Sequence, residues 1–259
     1  MSNNTSFDNW LGLAIGNSRL HWAWFEQYTL IETWDTQHLS VAIKPNQLPQ
    51  QFLANQLLEK QLTQIPVYLA SVVPEQTKLW QNYADLKIIT LEDIELENIY
   101  PTMGIDRALA AWGAVETYSQ ACLVIDGGTA LTFTGVDRQK RLVGGAISPG
   151  LRSQLTSLKQ KTALPEIELP HTLPQRWALN TDEAIASGII YTTISGIFSY
   201  IADWQRQFSN HQVIFTGGDA ELLWRYLHLQ SPQVAQQIIV DRNLVFQGIQ
   251  LVCQNHLTP

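Results

Sequence analysis

The chain has 259 residues, a hydrophobic content of 45% and a formal net charge of −7. This size fits one large domain or two of modest size, and the apolar content is enough for a packed core, which excludes a disordered chain. The acidic balance and the scattered Lys and Arg residues argue against nucleic-acid binding, which needs a basic face.

The predicted elements of the first half alternate between strands and helices. Apolar patterning predicts two strands within 10–26, a helix over 47–64, a strand over 67–73 that Pro74 stops, a short helix over 75–83, a strand over 87–90 and a helix from Asp106 to Tyr118. This order of elements indicates one α/β unit.

The second half repeats this pattern. It predicts strands over 121–126, 130–136 and 141–145, a helix over 150–160, a proline-rich loop over 164–177, a long helix from Thr181 to about Phe208, a strand over 212–216 and a last helix over 243–253. Asn180 or Thr181 is the expected cap of the long helix. We place the domain boundary between 115 and 116, which gives domains 1–115 and 116–259.

Two isolated cysteines, Cys122 and Cys253, lack metal-binding spacing and do not form a disulfide framework, so a reducing cytoplasm is predicted. The first six residues lack the basic region of a secretory signal. No apolar run approaches the roughly 20 residues that span a bilayer. We therefore expect a cytoplasmic protein without a membrane partner.

The strongest functional signal is the strand–turn–strand passage Asp126-Gly127-Gly128-Thr129. Glycines let the backbone approach an anion closely, and their exposed amides together with the Thr129 hydroxyl can cradle a phosphate. Asp126, at the end of the strand, is placed to meet a cation or an ordered water. The alternative is an ordinary hairpin turn that contains an aspartate.

A similar turn, Gly16-Asn17-Ser18, lies 112 residues before Gly128-Thr129-Ala130. Two such hairpins at half-chain spacing suggest an internal duplication, and two like domains would bring two phosphate loops to one cleft. On this offset, Ala14 occupies the position of Asp126. The alternative is coincidence between two common hairpin patterns.

Five passages together resemble the type III pantothenate kinases of the actin-like and sugar-kinase superfamily: 16–18, 100–107, 126–132, 144–150 and 216–220. The most specific is Tyr-Pro-x-x-Gly-x-Asp-Arg at 100–107, and the resemblance covers about residues 10–253. It implies an α/β fold of two duplicated ribonuclease-H-like domains. Each would have a mixed five-stranded sheet flanked by helices, with the cleft between the domains.

The resemblance also implies an activity, namely ATP-dependent phosphorylation of pantothenate to 4'-phosphopantothenate, the first step of coenzyme A biosynthesis. The implied cofactors are ATP with Mg²⁺ and a monovalent cation, K⁺ or NH₄⁺. The implied assembly is a homodimer.

The resemblance assigns roles to residues that match the family pattern. Asp106 is the implied general base and Arg107 the partner of the substrate carboxylate, and Asp126 is the implied cation ligand. The rest of the pantothenate site is Tyr100, Gly104, Ile105 and Thr181. The implied ATP contacts are Ile15, Gly16, Asn17, Ser18, Arg19, His21, Gly128, Thr129, Gly217 and Gly218.

These assignments agree with the chemistry of phosphoryl transfer, which needs a base for the attacking alcohol and neutralisation of phosphate charge. Arginine binds carboxylates in a bidentate manner, as the substrate would require. Each assignment also has a structural alternative. Asp106 and Arg107 fit the polar first turn of a helix, Thr181 fits a helix cap, Gly217-Gly218 fits a turn, and His21 fits a structural role.

The first loop departs from the family pattern Asp-x-Gly-Asn-Thr/Ser, because Ala14 replaces the aspartate that helps to arrange magnesium through water. Three interpretations follow: Asp126, Asp137 or the nucleotide itself holds the metal; activity is low; or the chain is an inactive relative that binds pantothenate or a nucleotide as a regulator. The retention of Asp106, Arg107 and Asp126 favours activity.

A separate hypothesis is that the protein is a kinase for another small hydroxylated metabolite. The Tyr-Pro-x-x-Gly-x-Asp-Arg passage argues against this hypothesis.

Overall fold

The computed structural model describes residues 9–46, 48 and 65–257. Apart from Leu48, the helix predicted over 47–64 lies outside the described residues. The chain forms two compact units. The first comprises the described residues up to Gly113 together with those from Val245, and the second comprises Ala114–Leu244.

The first unit is built on a mixed five-stranded sheet of order β3-β2-β1-β4-β5. Its strands are β1 Asn9–Ile15, β2 Leu20–Glu26, β3 Thr29–Thr36, β4 Val67–Ser71 and β5 Leu86–Ile88. Strands β1, β2 and β3 form an antiparallel meander, whereas β4 pairs parallel to β1 and β5 pairs parallel to β4. Strand β3 was not predicted from the sequence.

The second unit has a sheet of the same design, of order β10-β9-β6-β7-β8. Its strands are β6 Ala121–Gly127, β7 Ala130–Val136, β8 Leu142–Pro149, β9 His211–Thr216 and β10 Ile238–Val240. Again three antiparallel strands are followed by two parallel ones. Strand β8 is longer than the predicted 141–145 because the glycine-rich passage that follows it also pairs with β7.

The two sheets confirm the predicted fold class, and their matching strand order supports the duplication inferred from the loops. The first strands, β1 and β6, begin and end 112 residues apart in the sequence. The hairpins then differ, since residues 16–19 join β1 to β2 but only residues 128–129 join β6 to β7.

Helices connect and flank these strands. Their bounds are α1 Pro74–Trp80, α2 Ile105–Tyr118, α3 Leu151–Lys161, α4 Thr181–Gln207, α5 Ala220–Gln230, α6 Pro232–Ala235 and α7 Leu244–Leu257, with a 3₁₀ turn at Leu91–Asp93. Helices α5 and α6 were not predicted from the sequence. Asn180 caps α4, since its side chain accepts a hydrogen bond from the Glu183 amide.

Each unit has its own apolar core. In the first, Trp22 packs edge-on against Trp80 and stacks on Trp34. In the second, the buried face of α4 packs against the sheet through residues such as Ile190, Ile194 and Ile197. The tryptophans expected in the core are buried as predicted: Trp10, Trp22, Trp24 and Trp112.

Helix α4 is long and apolar enough to cross a membrane, judged by length and composition alone. Half of its most apolar window is buried inside the protein, however. A core helix of a globular protein passes the same test, so this helix is weak evidence for a membrane span.

The unit to which the final helix α7 belongs differs from the predicted domain division, which assigned all residues after 115 to the second domain. From Val245 onward this helix groups with the first unit. The physical reason is close helix packing: a Cβ atom on Gly248 would overlap the carbonyl of Leu109 in α2. Gly248 therefore allows the two helix backbones to approach directly.

Candidate active site

The predicted pantothenate residues of the first unit lie in a turn that leads into α2. The Met103 amide donates to the Tyr100 carbonyl at 2.9 Å, and the Ala108 amide donates to the Gly104 carbonyl at 3.1 Å, which starts the helix. A Cβ on Gly104 would lie 2.6 Å from Oδ1 of Asp106. Glycine at 104 therefore lets the Asp106 carboxylate fold back over the turn.

Asp106, Arg107 and Tyr100 form one hydrogen-bonded group. The Arg107 amide donates to Asp106 Oδ1 at 2.8 Å, and Arg107 Nη1 donates to the Tyr100 hydroxyl at 2.9 Å. Arg107 is buried, whereas Tyr100 is 40% exposed. Burial raises the pKa of Asp106, and the hydrogen bond and charge of Arg107 offset this only in part. A carboxyl group with a raised pKa is suited to accept a proton.

The first loop lies close to this group at the carboxyl ends of the parallel strands β1 and β4. The Val72 amide donates to the Ile15 carbonyl at 3.1 Å, and a Cβ on Gly104 would lie 3.8 Å from Val72 Cγ1. Ligands of α/β sheets bind outside this edge. The geometry thus brings the predicted loop and the predicted substrate residues of the first unit to one place.

The first loop itself is a four-residue turn with exposed side chains. The Gly16 amide donates to the Arg19 carbonyl at 3.1 Å, and the Gly16 carbonyl accepts from His38 at 2.9 Å. Asn17, Ser18 and Arg19 are exposed, whereas Ile15 is buried. These backbone and side-chain donors are accessible to an anion.

The second loop is a two-residue turn anchored to α3. The Gly128 amide donates to the Ala130 carbonyl at 2.9 Å. The Thr129 carbonyl accepts from the Gly150 amide at 3.0 Å and from the Ser153 hydroxyl at 2.6 Å, while the Thr129 side chain is exposed. A Cβ on Gly150 would overlap the Gly128 carbonyl, so the glycine before α3 is required for this contact.

Asp126 meets the turn at Gly217 and Gly218. Gly217 has φ +85°, and a Cβ there would overlap Asp126 Oδ1 and lie 2.6 Å from the Gly127 carbonyl oxygen. Gly218 is exposed and has open space around it. The structure therefore brings Asp126, the second loop and the turn of the predicted ATP contacts Gly217 and Gly218 together within the second unit.

Thr181 is the first residue of α4 and is exposed. Asn180 takes the capping role, so Thr181 does not cap the helix. Thr181 lines a cavity of about 430 Å³ between α3 and α4 in the second unit. Its proposed contact with substrate stays a prediction.

Two polar residues near the second loop had no role in the analysis of the sequence. Asp219 follows the Gly217-Gly218 turn and is buried, and its amide donates to the Gly127 carbonyl at 2.8 Å. Burial raises the pKa of Asp219, although Arg152 Nε lies 3.7 Å from its Oδ1 and lowers it. The signal for Asp219 was the Thr-Gly-Gly-Asp-Ala passage itself, whereas exposed Arg152 had none.

Asp137, one of the groups considered as a replacement metal ligand, is occupied elsewhere. Its carboxylate accepts from the Gln139 and Arg141 amides and pairs with the Arg141 guanidinium at 2.8 Å. Burial raises its pKa, but the hydrogen bonds and charge of Arg141 outweigh this and lower it. Asp137 follows β7 at the end remote from the second loop, so it does not replace the missing aspartate.

Among residues 9–46, 48 and 65–257, no group of three or more His, Cys, Asp or Glu side chains forms a cluster that could hold a metal ion. Magnesium that arrives with a nucleotide is bound largely by phosphates and water, with one or two carboxylates from the protein. Such a metal needs no cluster of three or more protein ligands.

Comparison with solved structures identifies the class of fold. A Campylobacter jejuni protein described as a Baf-family transcriptional activator has a TM-score of 0.62 at 19% identity, covering 95% of this chain and 98% of that one. A ROK-family glucokinase from Streptomyces griseus with glucose and AMPPNP has a TM-score of 0.52 at 12% identity, with 95% and 98% coverage. MreB5 of Spiroplasma citri bound to ADP scores 0.50 at 11% identity, with 97% and 98% coverage. The protein has the actin-like fold of sugar kinases and ATPases.

Sequence comparison gives the family. The model for type III pantothenate kinase matches residues 10–203. A type III pantothenate kinase from Nostoc sp. is 46% identical, with 95% of this chain and 94% of the relative covered. Another from Synechocystis sp. is 47% identical, with 93% and 88% covered. The chain belongs to the type III pantothenate kinase family, as the resemblance of its motifs predicted.

Proposed function

We propose that this protein transfers the γ-phosphoryl group of ATP to the primary alcohol of pantothenate. The single observation that carries this proposal is the hydrogen-bonded group of Asp106, Arg107 and Tyr100 beside the first loop, in a chain that belongs to this kinase family. The hydroxyl oxygen forms a bond to the γ-phosphorus, the bond to the β,γ-bridging oxygen breaks, and ADP leaves.

Asp106 takes the proton of the attacking hydroxyl. Its raised pKa supports this role, because a base with a pKa closer to the working pH accepts a proton more readily than an ordinary aspartate. The hydrogen bond from the Arg107 amide supports it as well, since it orients the Asp106 carboxylate at the helix start. Ile105, the buried first residue of α2, fixes the base of that turn.

Arg107 pairs with the carboxylate of pantothenate. Its guanidinium is buried and oriented by the Tyr100 hydroxyl, so it is preorganised for a bidentate contact. Partly exposed Tyr100 forms the outer wall of this site. Thr181 adds a hydroxyl at the start of α4, where helix amides favour an anion.

The two loops and the Gly217-Gly218 turn bind ATP. The exposed side chains of Asn17, Ser18 and Thr129, together with loop amides, contact the phosphates. The open space at Gly218 leaves room for the nucleoside. Magnesium bound with the ATP phosphates would supply neutralisation of their charge during transfer.

Asp126 holds the monovalent cation, K⁺ or NH₄⁺. One carboxylate beside backbone carbonyls, as at Gly127, is an all-oxygen donor set that suits a large singly charged ion.

We also propose a homodimer in the cytoplasm. The exposed face of α4 supports the dimer, because Gly188 and Gly196 have open space where side chains would stand, and the two free, buried cysteines are compatible with a reducing compartment.

The test is pantothenate-dependent ADP formation with Mg²⁺, with and without K⁺, beside Asp106→Asn. We expect K⁺-stimulated turnover that falls by about 10²–10⁴-fold in the variant. Because burial disfavours ionised Asp106, the variant is expected to be at least as stable at neutral pH. Near-normal turnover in a folded Asp106→Asn protein would remove the assigned base. Pantothenate binding without any product in the wild-type protein would instead support the regulatory alternative.

A further inference from the structure

The position of Ala14 lies in a row of directly paired residues that crosses the first sheet, and the second sheet has a matching row around Asp126. In the first unit the row runs from β3 to β4 through Asp35, His21, Ala14 and Ala70. In the second it runs from β8 to β9 through Ile147, Thr132, Asp126 and Thr216. Directly paired residues share one face of a sheet. In the second unit the carboxylate of this row is that of Asp126, on the central strand β6. In the first unit it is that of Asp35, on β3, two strands away from the central strand β1.

His21 connects the displaced carboxylate to the first loop. Its Nδ1 lies 2.7 Å from Asp35 Oδ1. Its other ring nitrogen, Nε2, lies 3.6 Å from the position that a Cβ would take on Gly16. The His21 side chain is 46% exposed and therefore accessible to a ligand. The imidazole thus leans from β2 toward the loop, on the face from which the Ala14 side chain also projects.

We propose that His21, oriented by Asp35, supplies at the first loop the hydrogen-bond acceptor that an aspartate at position 14 would supply. This inference rests on the proposed use of magnesium and ATP. Asp35 accepts the Nδ1 proton, which fixes the tautomer whose Nε2 is an acceptor. That nitrogen then accepts a hydrogen bond from a water of the magnesium–nucleotide complex. The negative charge of Asp35 makes the imidazole a stronger hydrogen-bond acceptor.

The role of His21 as a hydrogen-bond acceptor can be distinguished from a role as a cation that attracts phosphate, and its charged and polar neighbours bear on both. Arg19 Nη1 lies 3.7 Å from Asp35 Oδ2, so Asp35 is shared between a guanidinium and the imidazole. His38 reaches the same loop but bonds to the Gly16 carbonyl. A His21 that acted only as a cation on phosphate would aid nucleotide binding with or without metal. An acceptor for metal-bound water aids binding only when magnesium is present.

The experiment is calorimetry of a non-hydrolysable ATP analogue, with and without Mg²⁺. In Mg²⁺ we expect His21→Ala to weaken binding by about 10–100-fold, the usual cost of losing a partner beyond the direct ligands of a metal. Without Mg²⁺ we expect little change. Asp35→Asn is expected to weaken binding in the same direction, and combining it with His21→Ala adds nothing further, because Asp35 acts through His21.

The decisive measurement uses the Ala14→Asp variant, which places an aspartate at position 14. In an Ala14→Asp background, we expect His21→Ala to lose most of its effect, since the carboxylate takes over the acceptor role. His38→Ala is the matched control: it removes an imidazole from the same loop, and its effect should not depend on Mg²⁺. Thermal unfolding of each variant separates loss of binding from loss of folding.

Equal weakening by His21→Ala with and without Mg²⁺, no weakening at all, or no rescue by Ala14→Asp would each overturn the inference. Metal-independent nucleotide binding by the wild-type protein would overturn it too. Pantothenate is absent from these measurements. A protein that shows the expected magnesium dependence but forms no phosphorylated pantothenate would therefore contradict the proposed function and leave the role of His21 standing.

Discussion

The contact between Gly217 and Asp126 leads to a quantitative prediction for Gly217→Ala. Gly217 has φ +85°, a conformation that costs an L-residue about 1–2 kcal/mol. The new methyl group would also overlap Asp126 Oδ1 and lie 2.6 Å from the Gly127 carbonyl oxygen. Crowding of this kind costs a further 1–3 kcal/mol or so. We therefore expect a loss of about 2–5 kcal/mol in the free energy of unfolding.

Thermal unfolding measures this loss. For a chain of this size, about 2 °C of melting temperature corresponds to 1 kcal/mol, so the expected decrease is about 4–10 °C. Gly218→Ala is the matched control for stability, because Gly218 has open space where a Cβ would stand. In addition, Gly217→Ala displaces the Asp126 carboxylate, so stimulation of turnover by K⁺ should be lost at K⁺ concentrations that saturate the wild-type protein.

Equal melting temperatures for Gly217→Ala and Gly218→Ala would refute the steric reasoning. A destabilised Gly217→Ala protein that retains full K⁺ stimulation would instead refute the assignment of Asp126 as the cation ligand. The two measurements thus separate the geometry of the turn from the chemistry of the carboxylate.

Three more predictions follow from the substrate group and α4. The kcat/KM for pantothenate should fall as the pH is lowered through the raised pKa of Asp106, at a higher pH than an ordinary aspartate would give, because the base must be ionised. Tyr100→Phe removes the acceptor of Arg107 Nη1 and should raise the KM for pantothenate about tenfold. Gly196→Arg fills the open space on α4 and should convert a dimer to monomers in light scattering. The prediction for Asp106 would be contradicted if kcat/KM fell only at the pH of an ordinary aspartate. The prediction for Tyr100→Phe would be contradicted by an unchanged KM, and that for α4 by a dimer that persists in the variant.

Elements with strong apolar patterns were predictable from the sequence, whereas the edge strands β3 and β10 were not. Strands β1, β2, β6 and β7 and helix α4 have strong patterns, and the structure confirms them. Strand β3, at the edge of its sheet, has no buried residue and carries charged side chains, so its pattern resembles a polar loop. Strand β10 has only three residues, too few to show a period. Helix α5 did carry a signal, since Leu223, Tyr226 and Leu227 have helical spacing and are buried.

The same distinction explains what was missed in the candidate site. Glycine loops and the Tyr-Pro-x-x-Gly-x-Asp-Arg passage are local patterns, so their residues could be selected from the sequence alone. Asp35 lies on the strand that was not predicted, and its relation to Ala14 depends on pairing across three strands. Arg152 approaches Asp219 across 67 residues of sequence. No spacing rule encodes such contacts, because the folded sheet creates them.

The return of α7 to the first unit has a consequence for how the chain folds during synthesis. The second unit is continuous in sequence, from Ala114 to Leu244, so all of it emerges from the ribosome before α7 does. The first unit still lacks the helix that packs Gly248 against Leu109 at that time. Domains of nascent chains usually fold from the N-terminus onward. Here the order should be reversed, with the later unit completing its core first and the earlier one completing its core only after α7 has emerged.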